Sequence, residues 1–394
     1  MKVVVALGGT ALAKRGEALE TDVQRQNVAR AAAAAVAAIA RTHEVIVTHG
    51  NSPQVGLLAM MAESYAGVHP YPLDVLVAES EGMIGYLIEQ ELRNLLPGRH
   101  IATLLTQTEV SRTDVAFRHP SKPIGPGFTQ EEAERLANER GWKIAQDGAK
   151  WRRVVPSPEP LRILELGAIK LLVSTGVVVV CAGGGGIPVT VSSTGVVRGV
   201  EAVIDKDLAA ALLAHQVGAD ALLLLTDVGS VYTNWKQKDA QPIHETSSKE
   251  LRNHTFAAGS MRPKVEAACR FIETGGAFAG IGLLEDAAAI LLGRRGTIVR
   301  RPESTLDFTG GPQAMPKQAA AAGGKKRGKT ATIVARFSAG GSRGIARGCV
   351  TRAEPRMPLP RAWIRPNTAA TTSSSAARAR TISKICRWIC RSMN

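Results

Sequence analysis

The sequence predicts an α/β fold on an open, mainly parallel sheet, and three observations carry that expectation. VVVALGGTAL (residues 3–12) and VVVVCAGGGGIPV (177–189) each run apolar, largely β-branched residues straight into glycines. That is the pattern of a strand buried on both faces under helices. In addition, an Ala-rich helical stretch (21–40) follows the first strand and leads to a short strand (45–47) ending in THGNSPQVG (48–56). Strand, helix and strand in that order mark a βαβ unit. Loops 8–10 and 50–52 then share the carboxyl edge of the sheet, where open parallel sheets bind ligands.

Taken in order, the remaining elements fill in around this frame. His49 has the intrinsic pKa of a general base, but a histidine beside a glycine turn is also a common structural residue. Met60, Met61 and the helical stretch 78–96 read as core packing or a subunit contact, without chemistry of their own. From 118 to 160 the texture changes: prolines 120, 123, 126, 156, 158 and 160 bracket the charged TQEEAERLANERGW (129–142). This predicts an insertion projecting from the body, stiffened at entry and exit. Lys122, in SKPIGPGF, stands on that flap either as a cation able to reach a phosphoryl group or as a solvated charge.

The glycines at 183–186 suit main-chain N–H groups around an anion, and equally a plain turn. In VIDKDLAAALLA (203–214) a lysine, Lys206, sits between Asp205 and Asp207 at the start of a run of good helix formers. A cation is disfavoured at the positive pole of a helix unless an anion compensates it. A bound phosphate would do so, with Asp207 holding the ammonium; a surface helix start is the bland alternative. A buried strand (222–225) ends in TDVGSVYTNW (226–235), where Tyr232 and Trp235 either flank a nucleotide base or pack under the loop. GSMRPKVEAACRFIETGG (259–276) places a second lysine, Lys264, in a first helical turn. AFAGIGLLEDAAAILLG (277–293) supplies a last strand and helix, closing the fold near residue 299.

The chain has 394 residues, 49 Lys+Arg against 34 Asp+Glu, and a net charge of +15. Residues 300–394 hold 19 of the basic and 3 of the acidic groups, leaving 30 against 31 in the body. The basic excess therefore does not predict a nucleic-acid groove on the folded part. The tail is low in complexity and is expected to be disordered. It reads as a basic arm for nucleic acid or membrane phosphate, a regulatory tail, or translated sequence beyond a lost stop or a frameshift. Cys386 and Cys390 lie in it without partners for a metal site. Cys181 and Cys269 are the body's two thiols among five cysteines, a reduced, cytoplasmic usage. No signal peptide or membrane-length apolar run is present, so no membrane partner is expected.

ALGGTAL, THGNSPQVG, PYPLDVLVAESEGMIGY, SKPIGP, CAGGGGIPV, VIDKDLAAALLA, TDVGSVYTNW and GSMRPKVEAA together resemble the carbamate kinases of the amino-acid kinase superfamily, colinearly over about residues 1–299. The resemblance implies a three-layer αβα sandwich with an open, mainly parallel sheet of about eight strands, a protruding lid at about 118–160, and a homodimer. It also implies an acceptor lobe over about 1–200 and a nucleotide lobe over about 201–299. The implied reaction moves a phosphoryl group between ATP and carbamate, commonly to end arginine fermentation by the deiminase pathway, with Mg²⁺ carried by the nucleotide phosphates. The implied catalytic groups are Lys122, Lys206, Asp207 and Lys264. Main-chain groups of Gly8, Gly9, Gly50, Asn51 and Ser52 would hold the acceptor beside Thr10, and Gly183, Gly184 and Gly185 would line the centre. Asp205, Asp227, Val228, Tyr232, Met261 and Pro263 would lie against ATP or ADP. The family usually carries Asn at Thr10 and Gly at both Ser52 and Arg262, so a weakened, nucleotide-binding relative is the alternative. In particular, a Cβ at Ser52 is unwelcome if its φ is positive.

Overall fold

Strand β1 (Lys2–Leu7) is buried from Val3 on, and its side chains alternate between two cores. Val3, Val5 and Leu7 pack with Val36, Ile39, Ile84 and Ile88, whereas Val4 and Ala6 pack with Ala210, Leu213, Ala267 and Phe271. A strand covered on both faces has no use for polar alternation, hence the unbroken apolar run. The computed structural model describes residues 1–301 apart from 10, 11, 13–16, 66, 68, 236 and 257–260. Thr10 and the basic segment from 302 on, with Cys386 and Cys390, lie outside the described residues.

β1 pairs in parallel with β2 (Glu44–His49) on one side and β12 (Ala221–Thr226) on the other. The full sheet has eight strands in the order β15 (Glu245–Ser247), β17 (Thr297–Arg300), β16 (Phe278–Leu283), β12, β1, β2, β9 (Val178–Val180), β3 (Ile101–Thr103). From β16 to β3 all neighbours are parallel, while β17 turns antiparallel to β16 at one edge. Helices α2 (Ala33–Ala40), α4 (Leu73–Leu95) and α10 (Ala287–Leu291) cover one face. Helices α6 (Leu166–Ser174), α7 (Lys206–Val217), α8 (Ser248–Leu251) and α9 (Met261–Glu273) cover the other. The expected open αβα layering is what the cores produce. α1 (Thr21–Asn27) continues into α2 through a π turn, Val28–Ala32. The second long helix starts at Leu73 and not at the expected 78, because Pro72 is its N-cap and Asp74 lies in its first turn.

Two smaller sheets flank the site. β4 (Gln107–Val110), β8 (Pro160–Ile163), β10 (Ile187–Val191) and β11 (Val197–Gly199) form one, in the order β11-β10-β4-β8. β5 (Lys122–Phe128), β6 (Lys143–Asp147) and β7 (Lys150–Val155) form the antiparallel sheet of the expected insertion. Its helix α5 (Gln130–Arg140) starts on a capping box between Thr129 and Glu132 and stops at left-handed Gly141. A hairpin of β13 (Val231–Thr233) and β14 (Gln241–Ile243) follows β12.

The insertion is seated on α3 (Ser52–Ser64). Ile124 and Val155 share a small core with Val55, Ala59 and Leu76. At the closest point Gly56 meets the backbone of Gly125, whose φ is +71, and a Cβ on Gly56 would overlap that backbone. Gly56→Ala is therefore expected to lower unfolding stability by about 1–3 kcal/mol. Urea unfolding followed by circular dichroism measures this, and an unchanged midpoint would show that the contact is not tight.

Candidate functional site

At the carboxyl edge of the central strands, the loops after β1, β2 and β9 meet the N-termini of α3 and α7. Between them is a cavity of about 100 Å³ whose wall includes Gly9, Asn51, Ser52, Gly184, Lys122 and Lys206. A larger, open depression of about 550 Å³ lies at the opposite end of the strands, beside Lys2, Arg41 and Asp220. There helix carboxyl ends gather and cations cover them, as Lys2 Nζ does for the Val217 carbonyl at 2.9 Å. The chemistry therefore belongs to the smaller cavity.

Lys122 and Lys206, from distant parts of the chain, stand in the wall of that cavity, and a third lysine, Lys264, meets Asp207 of the same wall. Lys206 opens α7, and its Nζ donates to Asp207 Oδ1 at 2.5 Å. Lys264, in the first turn of α9, donates to Asp207 Oδ2 at 2.9 Å. Lys122, at the start of β5, donates to Asp205 Oδ2 at 2.5 Å. Asp205 also caps α7, its Oδ1 accepting from the N–H groups of Asp207 and Leu208 at 2.9 and 3.3 Å. Lys206, Asp207 and Lys264 are 9%, 4% and 9% exposed, which removes the reading of a surface helix start.

Burial alone would raise the Asp207 carboxyl, but the two ammonium groups and their hydrogen bonds hold it well below its ordinary range. Burial opposes the Asp205 carboxyl in the same way, and Lys122 brings it down. Burial lowers Lys206, with Asp207 pulling the other way and Lys264 adding repulsion. Lys264 is opposed by burial but rises, held by Asp207 and by the charges of Asp205 and Asp227. Lysines gathered at the positive poles of α7 and α9 suit a phosphorylated ligand.

The glycine run does its work chiefly by closeness. Gly183–Gly185 form a single 3₁₀ turn in which Gly184 has φ +67. A Cβ on Gly184 would collide with the Asn51 amide. The Gly183 N–H donates to Glu81 Oε1 at 2.8 Å, and the Gly185 N–H to the Ala182 carbonyl at 3.1 Å. Gly8 is buried where β1 ends. Gly50 departs from expectation, because its N–H donates to the Leu7 carbonyl at 3.1 Å and is not offered to a ligand. Asn51 Nδ2 donates to Ser80 Oγ at 2.9 Å, while its buried Oδ1 has no partner among the described residues. Ser52 is the first residue of α3 and does not take a positive φ, so its Cβ is accommodated.

His49 is fully buried, with Nδ1 3.2 Å from the Gly50 carbonyl oxygen. Burial takes its pKa down to about 4, the Gly50 contact opposes this and Lys206 reinforces it. The neutral ring packs against Gly183, where a Cβ would overlap it, so the structural reading of His49 is the one the fold adopts. The sequence pattern assigns Glu81 no role. Its Oε2 accepts from the Thr106 N–H at 3.1 Å, so α4 ties the glycine turn through one carboxyl oxygen and the segment before β4 through the other. Burial pushes that carboxyl up to about 8 against the two N–H groups.

On the other side of Lys264, Met261 and Pro263 are half-buried in the first turn of α9, and Arg262 beside them is exposed. Asp227 follows β12 and is near enough to act on Lys264; Val228 after it is half-buried. Tyr232 in β13 packs on Trp235, ring centroids 5.2 Å apart, and Trp235 is half exposed.

Residues 1–279 match the amino acid kinase family. A carbamate kinase of Rhizobium meliloti is 52% identical over 312 residues, 78% of this chain and 96% of the relative. The chain belongs to the carbamate kinases of the amino acid kinase family. Another carbamate kinase, from Pyrococcus furiosus, is 46% identical over 76% of this chain and 98% of its own length. The structure of the carbamate kinase from Giardia lamblia bound to AMP-PNP superposes with a TM-score of 0.69 at 40% identity, covering 76% of this chain and 98% of that one. Carbamate kinases thus match nearly end to end within about three quarters of this chain. Among the described residues, no helix is long and apolar enough to cross a membrane.

Proposed function

We propose that the chain transfers a phosphoryl group between ATP and carbamate. The observation that carries this is the convergence of Lys122, Lys206 and Lys264 on Asp205 and Asp207 beside the N-termini of α3 and α7. Phosphoryl transfer asks for two anions held in line and charge neutralised on the moving oxygens, with little covalent help from the protein. In the direction of ATP formation, a β-phosphate oxygen of ADP bonds to the phosphorus of carbamoyl phosphate. The bond from phosphorus to the carbamoyl oxygen breaks, and carbamate leaves with that electron pair.

Lys206 and Lys264 stand to neutralise the phosphoryl oxygens, with Asp207 orienting both. Lys122 serves the carbamoyl phosphate side. Main-chain groups of Gly8, Gly9, Asn51 and Ser52 hold the carbamate or carbamoyl phosphate, and Gly184 leaves room for it. Asp227, Val228, Tyr232, Met261 and Pro263 border the nucleotide. The nucleotide phosphates would hold Mg²⁺ and the ion would neutralise charge on them, since Asp205 and Asp207 are already engaged by lysines. Arginine fermentation and a cytoplasmic location accord with this reaction and with two free, buried thiols.

Purified protein coupled to ATP detection, with ADP and carbamoyl phosphate supplied, tests the reading. ADP binding without turnover above background would replace it with a weakened nucleotide-binding relative. The homodimer is supported by α4, where Val75, Met83 and Tyr86 lie exposed on one face. Tyr86→Asp is expected to convert dimer to monomer in light scattering after gel filtration, and an unchanged mass would move the interface elsewhere.

A further inference from the structure

We propose that Glu63 is a positioning residue that holds the insertion, and with it Lys122, over the site. Glu63 lies near the carboxyl end of α3, the helix whose other end lines the cavity. Three donors of the insertion converge on its carboxylate. Arg140 Nη1 is 2.6 Å from Oε2, Arg153 Nη1 is 3.2 Å from Oε1, and Trp142 Nε1 is 3.3 Å from Oε1. Both guanidinium groups also lie over the Trp142 ring, 5.2 and 5.1 Å from its centroid. The donors come from the end of α5, the turn after it and β7, whereas the acceptor belongs to the body. The Glu63 carboxylate therefore ties the insertion to the body, while the two cation–π contacts hold the insertion's own elements together.

From the tie the path to the cavity is short. Arg153 pairs across the sheet with Ile124 of β5, and Lys122, two residues on, pairs with Val155. The Lys122 side chain spans from its strand to Asp205 of the body, so whether its ammonium reaches the cavity depends on where that strand is held. Displacing that strand by about 1 Å is enough to spoil alignment for transfer. Glu63 never reaches the reacting atoms, and its effect has to pass through Lys122. This inference rests on the role given to Lys122 above.

Steady-state kinetics of the full chain test it with Lys122→Ala, Glu63→Ala, Glu63→Gln and the double variant of Lys122→Ala with Glu63→Ala, alongside hydrogen exchange of the β5 and β7 amides. Glu63→Ala is expected to raise the KM for carbamoyl phosphate about tenfold, leave the KM for ADP unchanged and speed exchange in β5 and β7. Glu63→Gln, which keeps an oxygen for Trp142, falls between, and it carries the test if Glu63→Ala does not fold. The double variant should be no worse than Lys122→Ala alone. Losses that multiply in the double variant, or unchanged kinetics and exchange in both Glu63 variants, overturn the proposal and leave the role of Lys122 standing. An unimpaired Lys122→Ala overturns that role, and the proposal with it.

Discussion

Lys206→Ala is expected to cut turnover by about 10³-fold while leaving the protein folded. The ammonium lost is one of two that share Asp207, at the positive pole of α7, where the transferring oxygens gain nothing from a neutral side chain. The fold should tolerate the change. Asp205 still caps the helix and Lys264 still neutralises Asp207, alanine is a better helix former than lysine, and a cation leaves the wrong end of the helix dipole. Coupled ATP formation gives the rate, and circular dichroism with gel filtration reports the fold. A loss of less than tenfold in a folded variant would remove Lys206 from the reaction. There is also a pH signature. Burial lowers the Lys206 pKa, so its active, charged form is lost as pH rises, at a pH below that of an ordinary lysine. The wild-type rate should fall along that limb, and the residual rate of Lys206→Ala should not.

Much of this site could be read from sequence because its parts are local exceptions to simple rules. Lys206 breaks the dipole rule at a helix start, and the runs before Gly8 and Gly183 break off where a buried strand must end. The sheet was legible for the same reason, since strands covered on both faces announce themselves by lacking alternation. The clamps were not legible, because each joins elements far apart in the chain. Glu81 reaches Gly183, and Glu63 reaches Arg140 and Arg153. One signal for Glu81 was present. Val77, Glu81, Ile84 and Ile88 share the buried face of α4, and a carboxylate at a core position of a helical pattern requires donors. Glu63 had no such mark, since it sits among exposed residues and its partners depend on how the insertion docks. That the Gly50 N–H is turned to Leu7 was not legible for a related reason: the β-strand register that delivers it there is not visible in a glycine.

Asp207→Asn should be costly in stability as well as in rate, and this distinguishes it from Lys206→Ala. At neutral pH the substitution leaves two buried ammonium groups sharing a neutral amide. Removing one partner of a buried ion pair costs about 3–5 kcal/mol, because the charge left behind is not resolvated. With Asp207 only 4% exposed, solvent screening offers little relief. The pH dependence follows from the direction of the shift. The Asp207 carboxyl is depressed from 3.8 in the folded chain, so its contribution is full above that value and fades as pH falls through the folded pKa. The gap between wild type and variant in urea unfolding should therefore be wide at pH 7 and narrow under strong acid. At alkaline pH the variant should recover in part, since its lysines can shed the protons that Asp207 no longer balances, whereas Lys264 of the wild type is held above its ordinary pKa. A gap at pH 7 below about 1 kcal/mol would mean that the lysines find other partners when Asp207 is neutral. In that case the carboxylate would serve only to aim them, and the loss would appear in turnover alone.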